Sequence, residues 1–171
     1  MRFLSVLLVV ALWLPTSCSD ESNGPVFDPV KQAADDEKTL QAWFTARNLK
    51  DSVTRTPSGL YYRITRPVPA AQAGQPEYAL ITRGKKVFVR YEGRLLNDTL
   101  FDSNLNSATG FSFVAGNQTV IRAWEEGLLF FRKGEEGWLY SPSGLAYGNT
   151  TQGKIPRNAC LRFFIRVANV E

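Results

Sequence analysis

Two stretches of strict alternation constrain this chain more than any other feature. In KVFVRYEGRLL (86–96), Val87, Val89 and Tyr91 fall on one face and Phe88, Arg90 and Glu92 on the other. CLRFFIRVANV (160–170) repeats the pattern, with Leu161, Phe163, Ile165 and Val167 on one face. A period of two puts successive side chains on opposite sides of an extended backbone, so both runs predict strands with a face that needs cover. Cys160, at the head of the second run, reads as a small buried hydrophobe rather than a reactive thiol.

The rest of the chain supplies shorter strands and little helix. LYYRIT (60–65), entered through the turn TPSG, and WLYS (138–141), entered through KGEEG, read as strands. FDSNLNSATGFSF (101–113) sets two aromatic anchors, Phe101 and Phe111, around a polar loop, with Phe111 and Phe113 alternating at its end. VIRAWEEGLLFF (120–131) places Ile121, Trp124 and Leu128 at helical spacing, a single short helix with Glu125 and Glu126 on its wet face. DDEKTLQAWFTARNLK (35–50) reads as a second helix, acids first and bases last, with Leu40, Trp43, Phe44 and Arg47 on one face. Its aromatics are expected to pack on the domain. Residues 66–84, rich in Pro, Ala and Gly, read as a long surface connection. Strands outnumber helices, and one amphipathic helix must cover a sheet face. The fold class is α+β.

Composition narrows the chemistry. The 171-residue chain is 44% hydrophobic, enough for a sizeable core, and contains no histidine. The commonest general base and metal ligand is thereby removed, and with only Cys18 and Cys160 no thiolate cluster can hold zinc. No metal and no cofactor are expected. A net charge of +4 without a basic run gives no ground for nucleic-acid binding. What remains is carboxylates, hydroxyls, backbone groups and shape.

The N-terminus reads as a targeting segment. Arg2 precedes FLSVLLVVALWL (3–14), an apolar run of twelve, whereas a bilayer-spanning helix needs roughly 20 such residues. It fits the hydrophobic region of a signal peptide. PTSC, ending at Cys18, resembles a bacterial lipobox, with Pro15 where Leu is usual. In that family the cysteine is lipidated and becomes the mature N-terminus. The expected organisation is a lipoprotein signal peptide (1–17), a tether (18–29), a helical extension (30–52) and a folded domain (53–171). The expected location is exported and membrane-anchored, at the outer membrane. Ordinary secretory cleavage, leaving Cys18 free, is the alternative.

Six motifs occur in order: V-x-V-x-Y-x-G-x-L (87–95), FDS (101–103), F-x-F-x-x-G (111–116), VIRAWEEGL (120–128), LAYG (145–148) and IP-x-N-A-x-L-x-F (155–163). Together they resemble the FKBP-type peptidyl-prolyl isomerases, over residues 57–171. The resemblance implies an antiparallel sheet wrapped around one short helix, with an apolar pocket for a proline ring between them. It makes Trp124 the pocket floor and Tyr91, Phe101, Phe111, Val120, Ile121 and Phe163 its walls. The Ile121 N–H would bind a carbonyl of the bound chain and Tyr147 would offer its hydroxyl to another. Asp102 would be the one buried acid, and Tyr147 and Ile155 the two jaws of the loop between them. Ser107 stands where the family often carries an Arg able to pair with that acid, and Ala123 where Gly is frequent.

The implied activity suits a histidine-free chain. Rotation of a peptide bond is opposed by resonance, with a barrier of about 18–20 kcal/mol, and needs no nucleophile, base or metal. The implied partners are proline-containing polypeptides in the course of folding, met by a monomer at the membrane. A rival reading is a lipid-anchored module that grips proline segments or acts as a chaperone with little catalysis. The N-terminal helix lies outside every motif and is expected to be dispensable for catalysis.

Overall fold

The computed structural model describes residues 27–107 and 109–171. The proposed signal segment and Cys18 lie outside these residues. Two α-helices, α1 (Pro29–Ala46) and α2 (Arg122–Gly127), accompany seven strands: β1 (Thr54–Arg55), β2 (Tyr61–Arg66), β3 (Lys86–Leu95), β4 (Leu100–Ser103), β5 (Phe111–Val114), β6 (Glu136–Ser141) and β7 (Leu161–Val170). All strand pairings are antiparallel, in the order β1-β2-β6-β7-β3-β4, with β5 also pairing β3. The two alternating runs become the long central pair. β3 and β7 are hydrogen-bonded from Val87↔Val170 to Leu95↔Leu161.

Alternation decides which side chains meet which helix. Val87, Val89, Leu161, Phe163, Ile165 and Val167 point to one face, where Leu139, Trp124 and Leu128 join them in the main core. Trp124 and Leu128 come from α2 and the 3-10 turn that continues it (Leu128–Phe130). One position along β6 from Leu139, Tyr140 points to the opposite face. There it packs with Tyr61, Cys160, Leu40 and Phe44 beneath α1. The sheet therefore has a helix on each face. Cys160 is buried, and burial pushes its thiol far above the ordinary range, which agrees with an inert packing role.

Helix α1 begins six residues before the first of the acids that mark its predicted start. Asp28 is its N-cap: its carboxylate accepts from the Val30 N–H at 2.9 Å and the Lys31 N–H at 3.1 Å, and Pro29 occupies the first turn. An Asp-Pro step does this because proline lacks only an N–H that the first turn leaves unpaired anyway. The helix ends at Ala46, and Asn48 then takes a left-handed φ of 54°. Leu40 and Phe44 are fully buried. The long connection 66–84 is mostly exposed and carries two short 3-10 turns, as its composition predicts.

Candidate active site

A cavity of about 430 Å³ opens between α2 and the curled ends of β3, β4 and β5. Tyr91, Phe101, Phe111, Trp124, Tyr147 and Phe163 supply its rings, and Asp102, Gln118, Thr119, Val120 and Ile121 complete its lining. The rings converge edge-on on the indole of Trp124. Tyr91 stands 4.9 Å from it at 84°, Phe163 5.6 Å at 84° and Phe111 6.0 Å at 74°. Phe101 in turn meets Phe163 at 5.7 Å and 83°. Edge-to-face packing is the favoured arrangement of aromatic quadrupoles, so the cluster is rigid without being filled.

Each ring is aimed by the element that carries it. Phe101 swings over β3 at Gly93, where an added Cβ would stand 2.5 Å from its Cε2 atom. Only glycine leaves that space. Val120 and Ile121 are set by the entry to α2, where Ile121 is the N-cap residue. Among the described residues the Ile121 N–H has no acceptor. The loop before it is clipped by Glu125, whose carboxylate accepts from the Gly116 N–H at 2.6 Å and the Thr119 N–H at 3.1 Å. Glu125 is thus a half-buried loop anchor and not a purely wet residue. Glu126 likewise accepts from the Ser58 hydroxyl at 2.8 Å.

Two expected roles are corrected. Asp102 is exposed, not buried, because β4 lies at the end of the sheet order and shows three of its four residues to solvent. Its carboxylate nonetheless faces the site, accepting from the Tyr91 hydroxyl at 2.5 Å. Ile155 is no jaw. It is 4% exposed, packed in the main core, and absent from the cavity lining. A tight bridge with Gln152, whose two N–H···O bonds are 2.9 and 2.8 Å, turns it inward. Tyr147 alone remains at the rim, 36% exposed. Gln118 and Thr119 were not foreseen. They fall in the three-residue gap between two motifs, and Gln118 adopts a left-handed φ of 55°, which nothing in its side chain announces.

The electrostatics keep both tyrosines neutral. Burial, then the hydrogen bond to Asp102, pushes the Tyr91 phenol far above its ordinary range. Burial, then the nearby Asp102 charge, raises that of Tyr147. Each stays a hydroxyl donor at neutral pH. Trp124 Nε1 is a buried donor with no acceptor among the described residues. Among the described residues, no hydroxyl of the lining is hydrogen-bonded to a base apart from the Tyr91–Asp102 pair, and no group of three or more potential metal ligands occurs.

An antiparallel sheet curled around one short helix, with a ring-lined cavity at their junction, defines the FKBP class of fold. The chain belongs to that family: the family model for FKBP-type peptidyl-prolyl cis-trans isomerase matches residues 78–168. It is 36% identical over 131 residues to the probable FKBP-type peptidyl-prolyl cis-trans isomerase FkpA of Neisseria meningitidis, covering 76% of this chain and 44% of that one. It is 34% identical over 132 residues to peptidyl-prolyl cis-trans isomerase Mip of Coxiella burnetii, covering 77% and 53%. Thus the chain spans about half the length of these curated relatives. Among solved structures, FkpA from Escherichia coli superposes with a TM-score of 0.65 at 27% identity, covering 83% of this chain and 62% of that one. A peptidyl-prolyl cis-trans isomerase from Pseudomonas syringae pv. tomato gives 0.61 at 25% identity, covering 85% and 98%.

Proposed function

We propose that the protein is a peptidyl-prolyl cis-trans isomerase that accelerates rotation about X-Pro bonds in exported polypeptides. The observation that carries this reading is the cavity itself, six rings around a space that fits a five-membered ring, with the Tyr147 hydroxyl at the rim and an unpartnered Ile121 N–H. The planar ground state of an X-Pro amide has the larger dipole and is solvated by water. An apolar pocket withdraws that solvation, and the twisted transition state loses less. Ile121 N–H and Tyr147 hold the flanking carbonyls of the bound chain, and groups fitted to the twisted rotamer bind it preferentially. A ten-thousandfold acceleration requires about 5.5 kcal/mol of such differential binding.

In this reading Tyr91, Phe101, Asp102 and Tyr147 act on the rotating bond, Asp102 through the Tyr91 hydroxyl. Phe111, Val120, Ile121, Trp124 and Phe163 hold the proline and its neighbours. The folded unit includes residues 53–171, preceded by the helical extension. Cys18 carries the lipid that holds the protein, as a monomer, at the outer membrane, supported by the apolar run 3–14 and the small residue before the cysteine. One acyl chain binds a membrane only marginally, so the anchor requires several.

A protease-free isomerisation assay on a soluble form beginning at Ser19, with a Leu-Pro tetrapeptide, tests the activity. Acceleration above the thermal rate is expected; tight binding of the peptide without acceleration would replace the enzyme with a proline-binding module. Cys18→Ala should abolish lipid labelling and move the full chain to the soluble fraction. Wild-type protein that already fractionates as soluble would remove the anchor from the proposal.

A further inference from the structure

Among the described residues no hydrogen bond joins helix α1 to a residue lining the pocket, yet the helix grips both segments that carry the pocket's rim. At one end Asp36, 2% exposed, accepts from both the N–H and the hydroxyl of Ser143, each at 2.7 Å. The carbonyl of Ser143 then accepts from the Ala146 and Gly148 N–H groups, both at 2.9 Å. Those amides flank Tyr147. At the other end, the Trp43 indole N–H donates to the Leu96 carbonyl at 2.7 Å. Leu96 opens the turn between β3 and β4, closed by bonds from Asp98 N–H to Leu95 O (3.1 Å) and Leu95 N–H to Thr99 O (2.9 Å). β4 leaves that turn carrying Phe101 and Asp102. Asp36 and Trp43 are seven residues apart, two helical turns, so they lie on one stripe about 10 Å long.

We propose that α1 is a clamp that fixes the two lips of the pocket relative to each other, with Asp36 and Trp43 as positioning residues acting through Tyr147 and Phe101. This rests on the isomerase reading of the pocket. A carboxylate that takes two hydrogen bonds from one buried residue is more than packing requires, and a half-buried indole N–H spent on a turn carbonyl fixes register rather than area. Leu40, between Asp36 and Trp43, and Phe44, next to Trp43, are fully buried and supply the rigid bar. The clamp sets the distance between the hydroxyl that meets the substrate carbonyl and the wall that meets the proline. Loosening one lip misplaces one of these while the other stays seated.

The test separates positioning from mere stability. Asp36→Ala should lower catalytic efficiency roughly three- to tenfold, below the ~100-fold that a full ångström of misplacement brings. In a Tyr147→Phe background the same substitution should have almost no further effect, because it acts through that hydroxyl. Trp43→Phe keeps an aromatic, though smaller, ring and removes the N–H; its effect should vanish in a Phe101→Ala background and persist beside Tyr147→Phe. Hydrogen–deuterium exchange supplies a readout independent of turnover: Asp36→Ala should speed exchange in 143–148 and not in 96–103, and Trp43→Phe the reverse. If Asp36→Ala does not fold, Asp36→Asn, which keeps one acceptor oxygen, takes its place. Equal losses in both backgrounds, or exchange that rises evenly or not at all, overturn the clamp. Wild-type protein that shows no isomerisation overturns the enzyme instead, and the exchange pattern then decides the clamp alone.

Discussion

On one face of the sheet Trp124 sits among Tyr91, Phe111 and Phe163; on the other Phe44 sits among Trp43, Tyr61 and Tyr140, with ring centroids 4.9–5.8 Å away. The central ring is sealed in both clusters, Trp124 at 4% and Phe44 at 0% exposure. The neighbours differ. Tyr61 and Tyr140 are buried, while Phe111 and Tyr147 at the pocket are more than a third exposed. The polar tips differ too. Under α1 the Tyr61 hydroxyl donates to Glu37 and accepts from Gln41, both at 2.5 Å, whereas among the described residues the Tyr147 hydroxyl meets no protein partner. The same residue types thus make a core where a helix closes over them and a site where the helix stops short. A ring cluster becomes functional through what is left unfilled at its edge.

That contrast predicts opposite responses to the same truncation. Phe44→Ala should lower folding stability by about 3–5 kcal/mol, the range for losing a fully buried ring, and thermal or urea unfolding would measure it. Activity per folded molecule should fall far less than stability. Phe101→Ala should do the reverse. Its ring is half-buried at a cavity that already exists, so removal deepens an opening instead of creating one. Burial of a large side chain is worth about 1.5–3 kcal/mol, so catalytic efficiency on Leu-Pro peptides should fall by roughly one to two decades. A Phe101→Ala variant that is folded and fully active would erase the distinction between the clusters. Gly93→Ala should mimic it in milder form by pushing the Phe101 ring off its seat, with a loss between that of Phe101→Ala and none.

The open cluster was legible in the sequence, and the closed one only on its helix side. Tyr91, Phe101, Phe111, Trp124 and Phe163 lie inside the motifs that carry the family resemblance and all line the cavity, and period-two alternation placed β3 and β7. The aromatic face of α1 was expected to pack on the domain, and Leu40 and Phe44 do so; what alternation did not announce is its partner surface, since Tyr140 lies on the sheet face opposite Leu139. The early start of α1, signalled by Asp28-Pro29 rather than by the run of acids, lengthens the helix, but the residues that meet Tyr140, namely Leu40, Trp43 and Phe44, lie within the segment read as helix from sequence. Leu40 and Phe44 at 0% exposure tie that helix to the fold, which bears on stability and not on its expected dispensability for catalysis. Asp102 and Ile155 were misjudged for a common reason. Sequence neighbours share a motif but not a direction: β4 runs out at the sheet edge, and the Gln152 bridge turns Ile155 away from the rim.

Smaller effects sharpen the role of the rim. Tyr147→Phe keeps the ring and removes one neutral hydrogen bond, worth about 0.5–1.5 kcal/mol, so efficiency should drop about tenfold or less. Stability should hardly change, since the hydroxyl has no protein partner to lose. The equivalent change in the closed cluster, Tyr61→Phe, breaks contacts with both Glu37 and Gln41 and should register in unfolding and not in turnover. If Tyr147→Phe destabilises the fold as much as Tyr61→Phe, the rim hydroxyl is structural.

The smallest expected effect is that of pH on the reaction, and its absence is informative. No histidine is present, and the two phenols at the site are both held above their ordinary values, first by burial and then by Asp102. An acid whose folded value is raised stays protonated, so Tyr91 and Tyr147 remain donors up to at least the usual phenol range near pH 10. Catalytic efficiency should therefore be flat from about pH 6 to about 9, without a bell. Stability has the same origin and a definite sign. The folded state keeps phenol protons that the unfolded chain releases above about pH 10, so the contribution is complete below that pH and is lost as pH rises further. Tyr91→Phe should blunt that alkaline loss, as followed by urea midpoints between about pH 8 and 11. A bell-shaped rate profile centred near neutrality would require a titrating group that takes part in the reaction, and the desolvation mechanism would then be wrong.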